Sequence, residues 1–272
     1  MNLYMSDLDG TLLNSDAVLS TYTINNLNSL LDTTDINFSI ATARTPATVV
    51  PLLKDLHLKL PLVVMNGAAT YSLKEARYTH YNAIDSSSVT EIMNILKREN
   101  LSFFTYTLKN EHINVYFENE PSIPQQKFMD ERKGSPLKSF IKGAIPEASE
   151  ILYFFIMENK DKILSVFDEI NAVSKIAAYA YEDIYDRSSY ILEIFSEKSS
   201  KANAIKDLKK QYHFTNLTVF GDNFNDIPMF ELAENKIAVK NAVQKLKEMS
   251  TKVISSNNDN GVVSYLLEEF KK

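Results

Sequence analysis

Cysteine is absent from the 272 residues. That excludes disulfides, thiolate metal sites and a cysteine nucleophile, and it fits a reducing compartment. No apolar run approaches ~18 residues, so no transmembrane helix and no membrane partner are expected. The first residues lack a basic stretch leading into a long apolar one, so no secretory signal is expected and the reading is cytoplasmic. The four histidines, His57, His80, His112 and His213, form no pair at metal-binding spacing. Glycine is scarce. Of six, Gly10, Gly67, Gly221 and Gly261 fall beside expected strand-end loops, where the backbone turns sharply or approaches a ligand. There is no repeat and no low-complexity tract. The net charge of -6 carries no basic surplus, which speaks against a nucleic-acid partner. A local positive pocket for an anionic substrate stays open.

What is present is an ordinary globular composition, 44% hydrophobic and 24% charged. Residues 2–8 are mostly apolar and end in acidic residues and Gly10, the pattern of a buried strand running into a loop. Ser20 or Thr21 opens a helix with Ile24, Leu27, Leu30 and Leu31 on one face. A second strand spans 36–41, Thr45-Pro46 starts a second helix, and a third strand spans 60–65. Strands alternating with helices point to parallel βαβ units. After about Ile84 the rhythm changes to a helix (86–99), two strands (102–107 and 112–117), a charged, Pro-containing segment (121–146), a strand (151–157), a helix (161–173) and two strands (175–181 and 188–195). The first rhythm returns near Lys198, with a helix after Lys201, short strands at 217–220, 236–239 and 253–255, and a closing helix from Gly261. The expected fold is therefore α/β: a Rossmann-like parallel-sheet core, residues 1–84 and 197–272, with an inserted α+β unit, residues 85–196.

Two acidic clusters stand at the ends of core strands. In the first, Asp7-Leu8-Asp9-Gly10-Thr11-Leu12, the carboxylates lie two residues apart and would share one side of an extended strand. Crowded carboxylates repel and usually hold a cation, and hard oxygen ligands favour Mg²⁺. One carboxylate can attack phosphorus, and the other can move a proton to or from the leaving oxygen and water. The competing reading is a surface turn. A calcium loop is excluded, because it needs glycine at its sixth position and Gly10 would be the fourth. The second cluster, Gly221-Asp222-Asn223-Phe224-Asn225-Asp226, offers Asp222 as a further ligand and Asp226 as a supporting carboxylate. Its competing reading is a helix cap. Thr42 supplies a hydroxyl at a strand end, Lys201 an ammonium at a helix start, and Arg44 a possible phosphate or substrate contact.

With these residues together, the whole chain resembles the haloacid dehalogenase-like phosphatases, and within them the Cof-type, or class IIB, sugar-phosphatase group. Asp7-Leu8-Asp9-Gly10-Thr11-Leu12-Leu13 is similar to the family's first motif, Thr42 within Ile40-Ala41-Thr42-Ala43-Arg44 to the second, Lys201 to the third, and Gly221-Asp222-Asn223 with Asn225-Asp226 to the fourth. Asn66-Gly67-Ala68, Asn241-Ala242 and Asn260-Gly261-Val262 resemble secondary signatures. The resemblance implies Asp7 as nucleophile and Mg²⁺ ligand. Asp9 would be the general acid/base, binding metal through its carbonyl, and Asp222 the remaining ligand. Thr42, Ala43, Arg44, Asn66, Lys201 and Asn225 would contact phosphate or substrate, with Gly10 and Asp226 in support. It implies a small phosphorylated metabolite, a sugar phosphate foremost, as substrate, and the inserted unit as a cap that selects it. Tyr181, Asp186 and Arg187 are cap candidates for touching substrate. Ala43, Lys198 and Lys240 stand where relatives often carry glycine. A phosphomutase-like transferase using the same intermediate, and a non-catalytic phosphometabolite-binding regulator, are the alternatives.

Overall fold

The first strand, β1 (Asn2–Ser6), is followed by α1 (Thr21–Thr33), β2 (Asn37–Ile40), α2 (Pro46–Leu53), and the strands β3 (Leu62–Val64), β4 (Ala69–Ser72) and β5 (Arg77–Tyr81). The computed structural model describes residues 1–182 and 189–271. Ser20 caps α1, its side chain accepting the Thr23 N–H, and α1 buries Leu27, Leu30 and Leu31. Pro46 occupies the first helical position of α2, where its missing N–H costs nothing. Here the chain divides: one compact unit comprises Met1–His80 and Ser200–Lys272, the other Tyr81–Ser199.

The second unit runs α3 (Ser86–Arg98), β6 (Phe103–Lys109), β7 (His112–Phe117), α4 (Ile123–Asp130), β8 (Lys138–Lys142), β9 (Ile151–Glu158), α5 (Lys160–Asn171), β10 (Ile176–Glu182) and β11 (Tyr190–Ser196). Its six strands lie in the order β10-β11-β9-β6-β7-β8, antiparallel throughout except for the parallel pair β7–β8. Period-two alternation splits the side chains between faces. Phe154, Ile156, Leu192 and Ile194 pack with Ile92, Ile95 and Leu96 of α3 and Ile163, Val166 and Ile170 of α5. The alternate positions carry aromatic rings: Phe104 pairs across the sheet with Phe155, and Tyr106 with Tyr153. Phe128 of α4 stacks on Phe155.

The first unit resumes with α6 (Lys201–Gln211), β12 (Asn216–Gly221), α7 (Ile227–Leu232), β13 (Asn235–Val239), α8 (Gln244–Met249), β14 (Lys252–Ile254) and α9 (Gly261–Phe270). Its main sheet has the order β14-β13-β12-β1-β2, with every pairing parallel. β1 therefore lies between β2 and β12, Ser6 standing beside Ile40 on one side and Phe220 on the other. The carboxyl ends of these three neighbours define one edge, which is where open α/β sheets build their sites. Among the described residues no helix is long and apolar enough to cross a membrane.

Candidate active site

Asp7 follows the last residue of β1 and stays in register, its N–H donating to the Phe220 carbonyl at 2.9 Å. Asp222 follows the last residue of β12. Parallel pairing thus sets side by side two acidic positions 215 residues apart in the chain. Lys201 opens α6, which Ser200 caps by accepting the Asn203 N–H. Its ammonium donates to Asp7 Oδ1 at 2.6 Å and to Asp226 Oδ1 at 2.7 Å, and all three side chains are buried. The other Asp226 oxygen accepts the N–H groups of Asp222 (3.0 Å) and Asn223 (3.2 Å). Thr11 Oγ1–H donates to Asp222 Oδ1 at 3.2 Å.

One carboxylate oxygen from each of Asp7, Asp222 and Asp226 lies within 4.8 Å of the other two. Three carboxylates against one ammonium leave two formal negative charges in a buried place, a condition that calls for a cation. The electrostatics show the strain. Burial, and then Asp226, push the Asp7 carboxyl well above the usual carboxylate range, against the pull of Lys201. Burial and Asp226 raise the Asp222 carboxyl to about 6. For Lys201, burial works against the charge, but Asp226 and Asp7 outweigh it and hold the amine well above the ordinary lysine range. Hard oxygen donors at this spacing suit a divalent cation.

Loops from distant segments hold the site in shape. Gly10 has φ +76°, and a Cβ there would fall 2.4 Å from Asp222 Oδ2, so only glycine lets the first loop approach that carboxylate. The same loop is clamped from outside: Asn241 Nδ2 donates to the Gly10 carbonyl at 2.7 Å, Asn241 Oδ1 accepts the Asn257 N–H at 3.0 Å, and Asn257 Nδ2 donates to the Leu13 carbonyl at 2.9 Å. The loop after β3 is tied to the loop after β2 by Met65 N–H to Arg44 O and Asn66 N–H to Thr42 O. Gly67, with φ +92°, presses against Ser200, where a Cβ would lie 2.2 Å from the carbonyl oxygen.

Not every residue singled out from sequence joins the carboxylate cluster. β1 ends at Ser6, and residues 9–12 form a turn, with the Leu12 and Leu13 N–H groups both reaching back to the Leu8 carbonyl. The alternation expected of an extended strand therefore fails, and the Asp9 side chain is 47% exposed. It is gripped by Arg44 in a two-pronged ion pair, Nε to Oδ2 at 2.8 Å and Nη2 to Oδ1 at 2.6 Å. The fourth member of the buried group is instead Asp226. Thr42 is buried, and its hydroxyl accepts the Arg44 N–H at 3.1 Å. Asn66 sits in the left-handed region at φ 53°, while Ala43 and Asn225 are exposed. Tyr181 is an exposed residue of β10, and Asp186 and Arg187 lie outside the described residues. Sequence alone marks no role for Thr11, Asn241 or Asn257. Thr11 and Asn241 lie within motif-like stretches, and nothing in the composition around Asn257 distinguishes it from an ordinary turn residue.

The sequence profile of the haloacid dehalogenase-like hydrolases matches residues 4–266. The chain belongs to that family. It is similar to the 5-amino-6-(5-phospho-D-ribitylamino)uracil phosphatase YwtE of Bacillus subtilis, 28% identical over 96% of this chain and 95% of the relative. It is also similar to the phosphatase YwpJ of the same organism, 26% identical over 96% and 97% of the two chains. A haloacid dehalogenase-like hydrolase from Bacteroides thetaiotaomicron shares the fold, with a TM-score of 0.78 and 20% identity over 99% of each chain. Like its relatives in this hydrolase family, the chain is a phosphatase.

Proposed function

We propose that this phosphatase hydrolyses monoesters of small phosphorylated metabolites by passing the phosphoryl group through an ester on Asp7, with Mg²⁺ as its cation. The observation that carries the reading is the convergence of Asp7, Lys201, Asp222 and Asp226 on one buried point at the carboxyl end of β1 and β12. Asp7 and Asp222, with the Asp9 carbonyl, would hold the ion. When bound, Mg²⁺ offsets the negative charge shared by Asp7 and the phosphoryl oxygens.

In the first step an Asp7 oxygen attacks phosphorus, the bond to the ester oxygen breaks, and Asp9 gives that oxygen a proton. In the second, Asp9 takes a proton from water, the hydroxide attacks phosphorus, and inorganic phosphate leaves with Asp7 restored. Lys201 and the Thr42 hydroxyl orient the phosphoryl oxygens. Both Asp226 oxygens are taken up by donors of the chain itself, so Asp226 orients Lys201 and the Asp222 loop rather than serving as a ligand. Arg44 fixes Asp9 at the mouth of the site, and one prong of that pair must yield when Asp9 meets a leaving group. The unit Tyr81–Ser199 selects the substrate, in the manner of the cap of its family. The substrate class is a phosphorylated sugar or sugar alcohol. Supporting this, the name of the Bacillus subtilis relative specifies a phospho-D-ribityl group. The setting is the cytoplasm.

The test is phosphate release from a panel of phosphorylated metabolites with Mg²⁺ and with chelator, together with acid-quench trapping of labelled protein. Turnover that needs Mg²⁺, a phosphorylated intermediate on the wild type, and loss of both in Asp7→Asn are expected. Undiminished turnover in Asp7→Asn would overturn the reading.

A further inference from the structure

We propose that Arg132 and Lys138, in the unit Tyr81–Ser199, form a second anion site that takes a tetrahedral oxyanion of the phosphate class. Lys138 begins β8, and alternation along that strand puts it on the same face as Phe140. The residue is 4% exposed, a rare condition for lysine without a partner. Among the described residues no carboxylate forms an ion pair with it; the one neighbouring charge acting on its amine is another cation, Arg132.

The two cations stand over adjoining rings of one aromatic cluster. The Arg132 guanidinium carbon lies 3.9 Å from the centre of Phe128, the Lys138 ammonium 5.4 Å from the centre of Phe140. Those two rings meet edge to face with centroids 6.3 Å apart. Arg132 keeps two other partners, the Phe128 carbonyl and the Glu131 carboxylate, each at 3.1 Å. Glu131 is its sequence neighbour and half exposed, and it does not act on the Lys138 amine. Burial, and then Arg132, bring the Lys138 amine down to about 8, which still leaves it mostly protonated at neutral pH.

A lysine stem lying along aromatic surface explains the burial of the methylenes, and a ring face returns part of the lost solvation of the charge. Neither explains why a second cation is brought to the same cluster. Two like charges in a medium of low dielectric repel, and an oxyanion within reach of both would offset that repulsion. A guanidinium fork plus an ammonium is the donor pair that phosphate chemistry uses elsewhere. The occupant is either a free oxyanion or a second charged group on the substrate; the chemistry is the same, and the test separates them.

The full chain is labelled with 13C at lysine Cε, and the Lys138 signal is assigned by its absence in Lys138→Met. Inorganic phosphate is then titrated in without metal. The expected result is a saturating shift of the Lys138 signal, weakened about tenfold or more in Arg132→Gln, the share of one charge-assisted bond. A shift that never saturates, or one equally strong in Arg132→Gln, overturns the proposal. The second arm compares kcat/KM of wild type and Lys138→Met on a monophosphate and on a bisphosphate of the same sugar. A loss of about tenfold confined to the bisphosphate assigns the site to substrate. Equal values on both, with the phosphate titration intact, assign it to a free oxyanion. The spectroscopic arm needs no turnover, so it can fail or succeed independently of the catalytic reading.

Discussion

Lys201 and Lys138, one in each unit, are almost equally buried, at 3% and 4% exposure, yet their surroundings are opposite. Lys201 lies between Asp7 and Asp226 and is held protonated. Lys138 has aromatic rings below it and Arg132 beside it, and its proton is loosened. Burial penalises the charge in both places, so what differs is the partner. In the first unit the carboxylates outnumber the ammonium and the excess is negative, a place for a metal ion. In the second Arg132 keeps Glu131 as its ion-pair partner, while among the described residues no carboxylate pairs with Lys138, so the unmatched charge is the lysine's and is positive, the charge that the proposed anion would meet. The sign of the uncompensated charge, more than burial, tells what each region is built to receive.

The largest effect should follow from cutting the first of these networks. Lys201→Met leaves Asp7 and Asp226 buried without their ammonium, and breaking a buried pair from one side costs about 3–5 kcal/mol. Loss of a donor aimed at the phosphoryl group should lower kcat by about 10³. Urea unfolding and phosphate release at saturating Mg²⁺ measure the two losses. Wild-type turnover in that variant would reduce the pair to scaffolding and erase the contrast with Lys138.

The same contrast explains what could be read from sequence. Asp7 and Asp222 were legible because each ends a short apolar run in a βαβ rhythm, and parallel pairing carries strand ends to one edge. Lys201 was visible only through its likeness to a family motif, since nothing local separates it from other helix-start lysines. The position of the Asp9 side chain was hidden, because strand alternation was extended through a turn that begins at that residue. The pair β4 and β5 went unread, lying in a stretch with no strong alternation. So did α4 and β8: α4 is opened by a Ser122–Gln125 capping box and buries only Gln125 and Met129, so no apolar stripe marks it. In β8 the buried position is Lys138 itself, the reverse of what hydrophobic patterning looks for. Regions that bury charge are where hydrophobic pattern reading fails.

A smaller effect should appear when the metal is challenged with protons. The Asp222 carboxyl is raised to about 6, and a protonated carboxyl cannot bind Mg²⁺. Affinity should therefore be near its maximum at pH 7.5 and about tenfold weaker at pH 5, as read by calorimetry. The sign for the metal-free protein is opposite. Because the folded form holds this proton more tightly than the unfolded chain, Asp222 stabilises the fold at acid pH, and that contribution is lost as pH rises through 6. Mg²⁺ should thus raise the melting temperature strongly at pH 7.5 and weakly at pH 5. A pH-independent increment would remove the metal from this cluster.

Arg44 and Asp9 give an intermediate case, a tight pair at the surface of the first unit. With side chains 24% and 47% exposed, the pair should contribute less than about 1 kcal/mol to stability. Its value lies in aiming Asp9. Arg44→Met should leave the unfolding midpoint nearly unchanged while lowering kcat severalfold. Arg44→Lys should fare little better, because an ammonium cannot reproduce the two-pronged grip. Full rescue by lysine would show that charge alone suffices and that orientation of Asp9 contributes nothing.

The smallest effect on stability is expected at Lys138, and there the comparison is tested most sharply. Lys138→Met keeps the buried stem and its contact with Phe140 while removing the ammonium and its repulsion with Arg132. No carboxylate loses a partner, so no charge of opposite sign is stranded, unlike at Lys201. Replacing an unpaired buried ion by an apolar side chain of similar length is neutral or stabilising. The urea midpoint of Lys138→Met should therefore equal or exceed that of the wild type, and phosphate release from a simple monoester should be unchanged. Equal destabilisation at the two lysines would mean that Lys138 is held by a carboxylate after all, and its region would no longer carry an excess of positive charge.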